Sequence, residues 1–227
     1  MSDLHKRTVS GIIMGLIAIV AFSIYDGIPF RYFYGLVGIL ALIELWANFQ
    51  RSQTASIYVI VESLLTVLGT TVICLNFSRG TTIAILAIAL INDAGAYFVG
   101  KLLHGKFSTG RPFPETSPNK SWEGLVGGAI FGILTCIVCN QLGLLPSHNL
   151  AFVVVFTLTA WIVAVFGDWF ESRTKRKLQI KDSGDILRDH PILKCAEFIT
   201  EGHGGFLDRI DSVNAVAIFC FILLHII

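Results

Sequence analysis

The sequence predicts an all-α, polytopic membrane protein that forms a single domain over residues 1–227. Of its 227 residues, 54% are hydrophobic and only 15% are charged, whereas soluble domains carry about 25% charged residues. The mean hydropathy is +0.70. Apolar runs recur along the chain, and no linker or internal repeat divides it. These observations exclude an ordinary soluble globular domain. A net charge of +1 gives no reason to expect a nucleic-acid partner.

Seven apolar segments approach the roughly 20 residues that a transmembrane helix needs. In chain order they are Thr8–Tyr25, Phe30–Phe49, Ser56–Phe77, Thr81–Gly100, Ser121–Leu142, Leu150–Phe170 and Val213–Ile227. Polar or turn-forming residues separate them, as expected of surface connections. These connections are Asp26-Gly27-Ile28-Pro29, Gln50–Ala55, Ser78-Arg79-Gly80, Lys101–Lys120, Gly143–Asn149 and the charged stretch after the sixth segment.

The basic residues fall mostly on one side of the predicted bundle if the N-terminus is cytoplasmic. That side holds Lys6, Arg7, Arg51, Lys101, Lys106, Arg111, Lys120 and the basic residues from Arg173 to Arg209, and the other side holds Arg31 and Arg79. Cytoplasmic loops are enriched in lysine and arginine. We therefore expect a multi-pass protein of the inner (plasma) membrane. Its two polar loops, Lys101–Lys120 and Glu171–Arg209, would form the active site on the cytoplasmic side.

The charged stretch Gly167–Ser212 has a pattern typical of metal-assisted phosphoryl or nucleotidyl transfer. Asp168, Glu171, Ser172 and Lys175 are spaced so that they share one face of a helix. Asp208 and Asp211 repeat this spacing after a glycine-rich turn. Carboxylates can hold Mg²⁺, cations can meet phosphate oxygens, and glycines allow the backbone to approach a ligand closely.

Two further polar residues lie within or directly beside the apolar segments. Asp93 lies inside the fourth span, and an ionisable residue there is a functional candidate because burying it in a membrane is costly; the alternative is an ion pair with a loop lysine. Lys120 precedes the fifth span, where a cation opposes the helix dipole and a bound phosphate would resolve the conflict. Simple capping of that helix by Ser117 or Asn119 is the alternative.

Several other patterns admit two interpretations. The basic run from Arg173 to Lys181 could contact anionic lipid heads, but the interleaved acids favour a metal–phosphate site. His203 could act as a general base or orient a phosphate. The glycines from 124 to 132 predict close helix packing, with exposed backbone at a ligand as the alternative. The five scattered cysteines are interpreted as packing residues.

The motifs in this region resemble those of the phosphatidate cytidylyltransferases, also called CDP-diacylglycerol synthases. That family's signature looks like S-x-x-K-R-x4-K-D-x-[GSA] followed by H-G-G-x-x-D-R-x-D. The matching residues are Ser172, Lys175, Arg176, Lys181, Asp182 and Gly184, then His203, Gly204, Gly205, Asp208, Arg209 and Asp211. Two further segments match the family, around Asp93 to Gly100 and around Ser117 to Gly124.

The resemblance implies transfer of CMP from CTP to phosphatidic acid, giving CDP-diacylglycerol and pyrophosphate for phospholipid biosynthesis. It implies metal ligands at Asp182, Asp208, Asp211 and Asp168, with Mg²⁺ as the cation and K⁺ as an additional candidate. Catalytic roles fall to Ser172, Lys175, Arg176, Lys181, His203 and Arg209. Substrate contacts fall to Asp93, Tyr97, Lys120, Ser121, Glu123, Gly204 and Gly205. The expected partners are the two substrates and the lipid bilayer, and a homodimer is one candidate assembly.

One departure from the family pattern leaves alternatives open. The segment Arg188–Glu201 is an apparent insertion between the two halves of the signature. A lipid kinase or cytidylyltransferase acting on another acceptor, such as an isoprenoid, is one rival. An inactive homologue spoiled by the insertion is a second. A transporter with Asp93 as its ion site is a third, although it predicts an inverted repeat that the sequence does not display.

Overall fold

Six α-helices occur within the residues described by a computed structural model of the protein. It describes residues 20, 23–24, 28–52, 56–103, 105–106, 110–181, 183–186 and 205–227. The helices are α1 (Ile28–Ser52), α2 (Ser56–Leu75), α3 (Arg79–Leu103), α4 (Trp122–Gln141), α5 (Leu150–Lys177) and α6 (Asp211–Ile226). Short 3-10 turns span Ser183–Ile186 and Leu207–Arg209. Within these ranges no strand occurs, so the all-α prediction is confirmed.

Five helices, α1 to α5, are long and apolar enough to cross a membrane, by length and composition. The sixth helix has 16 residues and is also apolar, but shorter. The first predicted span, Thr8–Tyr25, lies almost wholly outside the described residues. The count of seven spans therefore stays a prediction.

The chain divides into two compact units whose segments alternate in sequence. One unit comprises the described residues up to Cys74 together with Arg173–Ile210, and the other comprises Leu75–Ser172 and Asp211–Ile227. Whether the chain behaves as a single domain remains a prediction.

In the first unit, α1 and α2 pack closely side by side. The Cys74 thiol donates a hydrogen bond to the carbonyl of Arg31 at 3.2 Å. Gly38 lies against Thr70, and a Cβ at position 38 would come within 2.7 Å of the threonine side chain. Since 31 pairs with 74 and 38 with 70, the two helices run antiparallel. Small residues at such contacts let helix backbones approach.

In the second unit, α3 and α4 meet along a stripe of small residues. A Cβ at Gly124 would lie 2.8 Å from the carbonyl oxygen of Ala96, and one at Gly128 would lie 2.7 Å from Oδ1 of Asn92. The close-packing interpretation of these glycines is confirmed. Near the start of α5, the rings of Phe152 and Phe156 stack on each other, and Phe156 stacks on Phe219 of α6.

Helix α5 continues beyond the predicted end of its span at Phe170 and reaches Lys177. It closes with a Schellman motif: Ile180 N–H donates to the carbonyl of Lys175 at 3.0 Å and Gln179 N–H to that of Arg176 at 3.1 Å. Gln179 occupies the left-handed position of this motif, with φ of 62°. Glycine usually fills that position because it has no Cβ. The extension brings the acids and the basic run onto one helix.

Candidate active site

The polar residues at the end of α5 follow the helical spacing that the sequence predicts. Asp168, Glu171, Ser172 and Lys175 all belong to this continuous helix. Glu171 is 1% exposed and Ser172 is 7% exposed. Carboxylate and hydroxyl groups are rarely so buried without partners, so these two side chains belong to a structured site.

Three carboxylates of the second unit lie close together, and we call them the carboxylate cluster. They are Asp168 and Glu171 of α5 and Asp211 at the start of α6, and one oxygen of each lies within 4.8 Å of the others. Gly167 allows this approach, because a Cβ there would lie 2.8 Å from the carbonyl oxygen of Asp211. Like charges at this spacing repel unless a cation compensates them.

Lys120 compensates one of those charges. Its Nζ forms an ion pair with Oδ2 of Asp168, and it also lies 5.8 Å from the ring centroid of Phe113. The conflict between this cation and the dipole of α4 is therefore relieved by a carboxylate of the protein itself. A phosphate at Lys120 stays a prediction, since the same ammonium group can also face an anionic ligand.

The beginning of α4 corrects one expectation. Neither Ser117 nor Asn119 caps this helix; Ser121 does, and its Oγ accepts a hydrogen bond from the N–H of Gly124 at 3.1 Å. Ser121 adopts the extended backbone that an N-cap requires, and Ser117 is too far from the first turn in sequence to do so. The hydroxyl of Ser117 instead donates to that of Ser172 at 3.1 Å.

Asp93 of α3 also contacts residues beside the carboxylate cluster. Its Oδ2 accepts a hydrogen bond from the hydroxyl of Ser212 at 3.4 Å, and its Oδ1 accepts one from the side chain of Asn92 at 3.3 Å. Ser212 directly follows Asp211. The acid of the fourth predicted span is thus held near the cluster by hydrogen bonds.

The first unit contains a second polar group, which we call the loop cluster: Lys175, Gly205 and Asp208. Lys175 Nζ lies 2.7 Å from Oδ1 of Asp208, and the N–H of Gly205 donates to Oδ2 of Asp208 at 3.0 Å. Both oxygens of Asp208 are therefore engaged. Residues that the sequence separates by an apparent insertion are brought together here.

The remaining predicted residues take several positions. Arg176 is exposed and donates to the carbonyl of Ile180 at 3.1 Å. Lys181 is exposed, Arg209 is partly buried, and Glu123 is buried in the first turn of α4. Tyr97 is 62% exposed, and Lys101 Nζ lies 5.8 Å from its ring centroid. Asp182, His203, Gly204 and the apparent insertion lie outside the described residues.

The carboxylate cluster has the donor chemistry that a hard divalent cation requires. Mg²⁺ binds oxygen ligands at about 2.1 Å, so oxygens on one ion are separated by roughly 3 to 4 Å. The cluster oxygens already lie within 4.8 Å of one another, and small side-chain rotations would bring them to that spacing. Asp168, Glu171 and Asp211 therefore fit a magnesium site. Among the sequence-based ligand candidates, Asp168 and Asp211 belong to this cluster, whereas Asp208 belongs to the loop cluster.

Glu171 belongs to the carboxylate cluster but was not among the ligand candidates predicted from the sequence. Its position one helical turn after Asp168 is the signal that identifies it, because side chains three apart on a helix share a face. Two buried polar residues of α1, Glu44 and Asn48, were also not selected. Glu44 lies near the end of the second predicted span, but an isolated acid does not reveal its partner.

The chain is similar in sequence to known cytidylyltransferases. Residues 73–227 match a family model described as "Cytidylyltransferase family". A phosphatidate cytidylyltransferase of Helicobacter pylori strain 26695 is 40% identical over 151 residues, covering 66% of this chain and 49% of that protein. One from Bacillus subtilis strain 168 is 36% identical over 132 residues, covering 58% and 42%. One from Thermotoga maritima is 34% identical over 156 residues, covering 67% and 52%. The chain spans about half the length of the curated relatives it matches.

Proposed function

Since this chain belongs to the cytidylyltransferase family, we propose that it transfers CMP from CTP to phosphatidic acid, giving CDP-diacylglycerol and pyrophosphate. The observation that carries the proposal is the carboxylate cluster, which lies with Lys120 inside the family-matched residues 73–227. The similar proteins of Helicobacter, Bacillus and Thermotoga bear the name phosphatidate cytidylyltransferase. We take the proposed substrates from that name. Both are anions, which suits a site that contains lysine and arginine side chains.

The proposed reaction exchanges one phosphorus–oxygen bond for another. A phosphate oxygen of phosphatidic acid attacks the α-phosphorus of CTP and forms a new bond to it. The bond from the α-phosphorus to the oxygen that bridges to the β-phosphate breaks, and pyrophosphate leaves. The nucleophile is already an anion, so the protein does not need a strong base. Its principal tasks are to bring two polyanions together and to hold them in line.

The carboxylate cluster would hold the divalent cation. Bound there, Mg²⁺ would neutralise charge on the triphosphate and stabilise the charge that develops during transfer. Asp168, Glu171 and Asp211 would provide its ligands, and Asp182 and Asp208 are the further ligands that the family resemblance implies. K⁺ is proposed as an additional cation.

Cationic side chains would bind the phosphates. Lys175, Arg176, Lys181 and Arg209 are proposed to contact the triphosphate, and Lys120 to contact one phosphate. In the described structure Lys120 and Lys175 already pair with Asp168 and Asp208, which keeps their side chains ordered in advance of ligand binding. Ordered cations lose less conformational freedom when a ligand arrives.

The remaining predicted residues would orient groups without changing their own covalent bonds. Ser172, held by Ser117, would orient a phosphate or a metal ligand. His203, Gly204 and Gly205 would place backbone and imidazole donors beside the substrate. Asp93, Tyr97, Ser121 and Glu123 would line the substrate side of the site.

The apolar helices and the distribution of charge support a location for the proposed reaction. Five helices long and apolar enough to cross a membrane support a membrane protein. The bias of lysine and arginine supports a multi-pass arrangement in the inner membrane with the site on the cytoplasmic side. Phosphatidic acid would enter from the bilayer between helices. A homodimer is a candidate assembly.

Incorporation of α-labelled CTP into lipid tests the proposal. Protein purified into nanodiscs is incubated with labelled CTP and phosphatidic acid, with and without Mg²⁺. We expect labelled CDP-diacylglycerol and equimolar pyrophosphate only when Mg²⁺ is present. A matched pair of variants makes the test specific: Asp211→Asn should abolish incorporation, and Glu115→Gln, which changes an exposed acid of the loop before α4, should not.

Two results would overturn the proposal. Labelled product from a polyprenyl phosphate or an ether lipid, with none from phosphatidic acid, would assign the chain to a different acceptor. A folded protein that binds CTP but forms no lipid product with any of these acceptors would indicate an inactive homologue or another class of membrane protein.

A further inference from the structure

Two polar residues of the mainly apolar helix α1 have buried side chains. Glu44 is 0% exposed and Asn48 is 2% exposed, and their spacing of four residues places them on the same face of the helix. A buried acid in a membrane helix is costly, and such residues commonly have a functional partner. Neither residue lies within the family-matched range 73–227.

Glu44 contacts the glycine-rich end of the signature. Its Oε2 accepts a hydrogen bond from the backbone N–H of Phe206 at 2.7 Å. A Cβ at Gly205 would overlap the carboxylate of Glu44 and the hydroxyl of Ser183. Glycine is therefore required at position 205, because the Glu44 carboxylate occupies the space where a side chain would lie.

Asn48 contacts the first half of the signature, at Ser183. Its Nδ2 donates to the carbonyl of Ser183 at 2.9 Å and to the carbonyl of Glu44 at 2.9 Å. Ser183 directly follows Asp182, and Phe206 directly follows the glycines of the second signature half. One helical turn of α1 thus holds backbone groups on both sides of residues 187–204.

These contacts continue to the loop cluster. The N–H of Gly205 donates to Asp208, and Asp208 pairs with Lys175. The carboxylate of Asp208 therefore depends on the backbone position at 205 and 206, which Glu44 fixes. A side chain on a turn this short moves with its backbone.

We propose that Glu44 and Asn48 are positioning residues for nucleotidyl transfer: they hold the two signature halves in register so that Asp208 and Lys175 face the nucleotide together. This inference rests on the proposed cytidylyltransferase activity. It assigns a catalytic supporting role to α1, a helix that the family match does not include.

Four variants in nanodiscs test the inference by two independent measurements. Glu44→Leu removes the hydrogen-bond acceptor. Glu44→Gln keeps a side chain of the same length with one acceptor oxygen. Asn48→Ala removes the hydrogen-bond donor to Ser183. Leu45→Ala is the matched control, since Leu45 is 2% exposed in the same turn and its loss weakens packing alone. Turnover is measured with labelled CTP, and hydrogen–deuterium exchange is measured for peptides covering 183–186 and 205–208.

We expect Glu44→Leu to lower kcat by at least about tenfold, because displacing a catalytic group slightly is enough to cost that much. The amide of Phe206 should exchange at least about tenfold faster, since it loses its hydrogen bond. Glu44→Gln should restore most of both properties, whereas Leu45→Ala should lower thermal stability while leaving kcat and the exchange at 205–208 near wild type. Asn48→Ala should lower kcat about tenfold and speed exchange at 183–186.

Each outcome decides the inference. Wild-type kcat in folded Glu44→Leu, or equal kcat losses in Glu44→Leu and Leu45→Ala, would overturn it. If Glu44→Leu cannot be purified, folded Asn48→Ala with wild-type kcat and exchange would overturn it instead. An inactive wild-type protein would overturn the proposed reaction, and the exchange measurement would still decide whether Glu44 holds the Phe206 amide.

Discussion

Lys175 Nζ lies 2.7 Å from Oδ1 of Asp208, and this ion pair joins the two halves of the signature within one compact unit. The side chains of Lys175 and Asp208 are 13% and 18% exposed, respectively. Removing one partner of a partly buried pair leaves the other charge with less compensation from solvent than at the surface, so the loss exceeds what a surface pair contributes. Both residues should therefore be sensitive to single substitutions and should act as a unit.

A double-mutant cycle tests this coupling. Lys175→Met and Asp208→Asn should each abolish most CTP-dependent pyrophosphate release while the protein remains folded. The double variant should be no worse than the poorer single variant, because contacting charges show coupling energies of about 0.5 to 3 kcal/mol. Activity and thermal unfolding in nanodiscs provide the measurements. Lys106→Met, which changes an exposed lysine, is the control, and additive losses would contradict the pairing.

The carboxylate cluster predicts a change in the magnesium requirement. Glu171→Gln should raise the Mg²⁺ concentration for half-maximal activity by about tenfold or more, because outer and inner ligands of metal sites contribute that much to affinity. Asp168→Asn should act similarly and should also release Lys120 from its ion pair. Titration of activity with Mg²⁺, supported by Mn²⁺ binding measured by electron paramagnetic resonance, checks the assignment. An unchanged Mg²⁺ dependence in Glu171→Gln would remove that residue from the site.

The contact between α3 and α4 predicts different outcomes for two glycines of one helix. Gly124→Ala should destabilise the protein by about 1 to 3 kcal/mol, since overpacking against backbone has costs of that order. The added Cβ would lie 2.8 Å from the carbonyl of Ala96, whereas at Gly132 it would meet Trp161 at an ordinary 3.4 Å. Gly132→Ala should therefore be tolerated. Thermal unfolding of both variants in the same detergent compares them, and equal stability would argue against the close approach.

Two helix ends use the same Schellman motif with different residues in the left-handed position. Helix α4 has Gly143 there, with φ of 67°, and α5 has Gln179, with φ of 62°. A non-glycine residue in this conformation costs about 1 kcal/mol. Gln179→Gly should therefore raise the melting temperature, and Gly143→Ala should lower it. A decrease on Gln179→Gly would mean that the glutamine side chain stabilises the turn by more than the backbone strain costs.

Hydropathy predicted where the described helices lie but not where α5 ends. The predicted span stopped at Phe170 because charged residues begin there, yet α5 runs to Lys177. The regular spacing of Asp168, Glu171 and Lys175 was the better guide, because a helix can leave the apolar layer without losing its hydrogen bonds. The N-cap of α4 shows a similar limit. Several serines precede the helix, and only the backbone conformation at Ser121 distinguishes them.

The motifs identified the charged and polar residues of the candidate site, but not the tertiary contacts that position them. The pairing of Phe206 with Glu44 spans 162 residues, and nothing in the local sequence of α1 identifies that partner. Likewise, Lys120 was interpreted through its own helix, whereas Asp168 of a different helix compensates its charge. Local patterns report on local geometry; tertiary ion pairs depend on which helices become neighbours.

The overlap that a Cβ at Gly205 would make with Glu44 has an evolutionary consequence. A methyl group at 205 would need a shorter residue at 44 and a displaced or smaller side chain at 183, so these positions should co-vary across close homologues of this chain. Homologues that keep the glycine but replace the acid with a smaller residue would leave a void beside the turn, and a compensating larger neighbour is expected there. Substitutions at position 44 of α1 should therefore depend on the residue at position 205 of the signature.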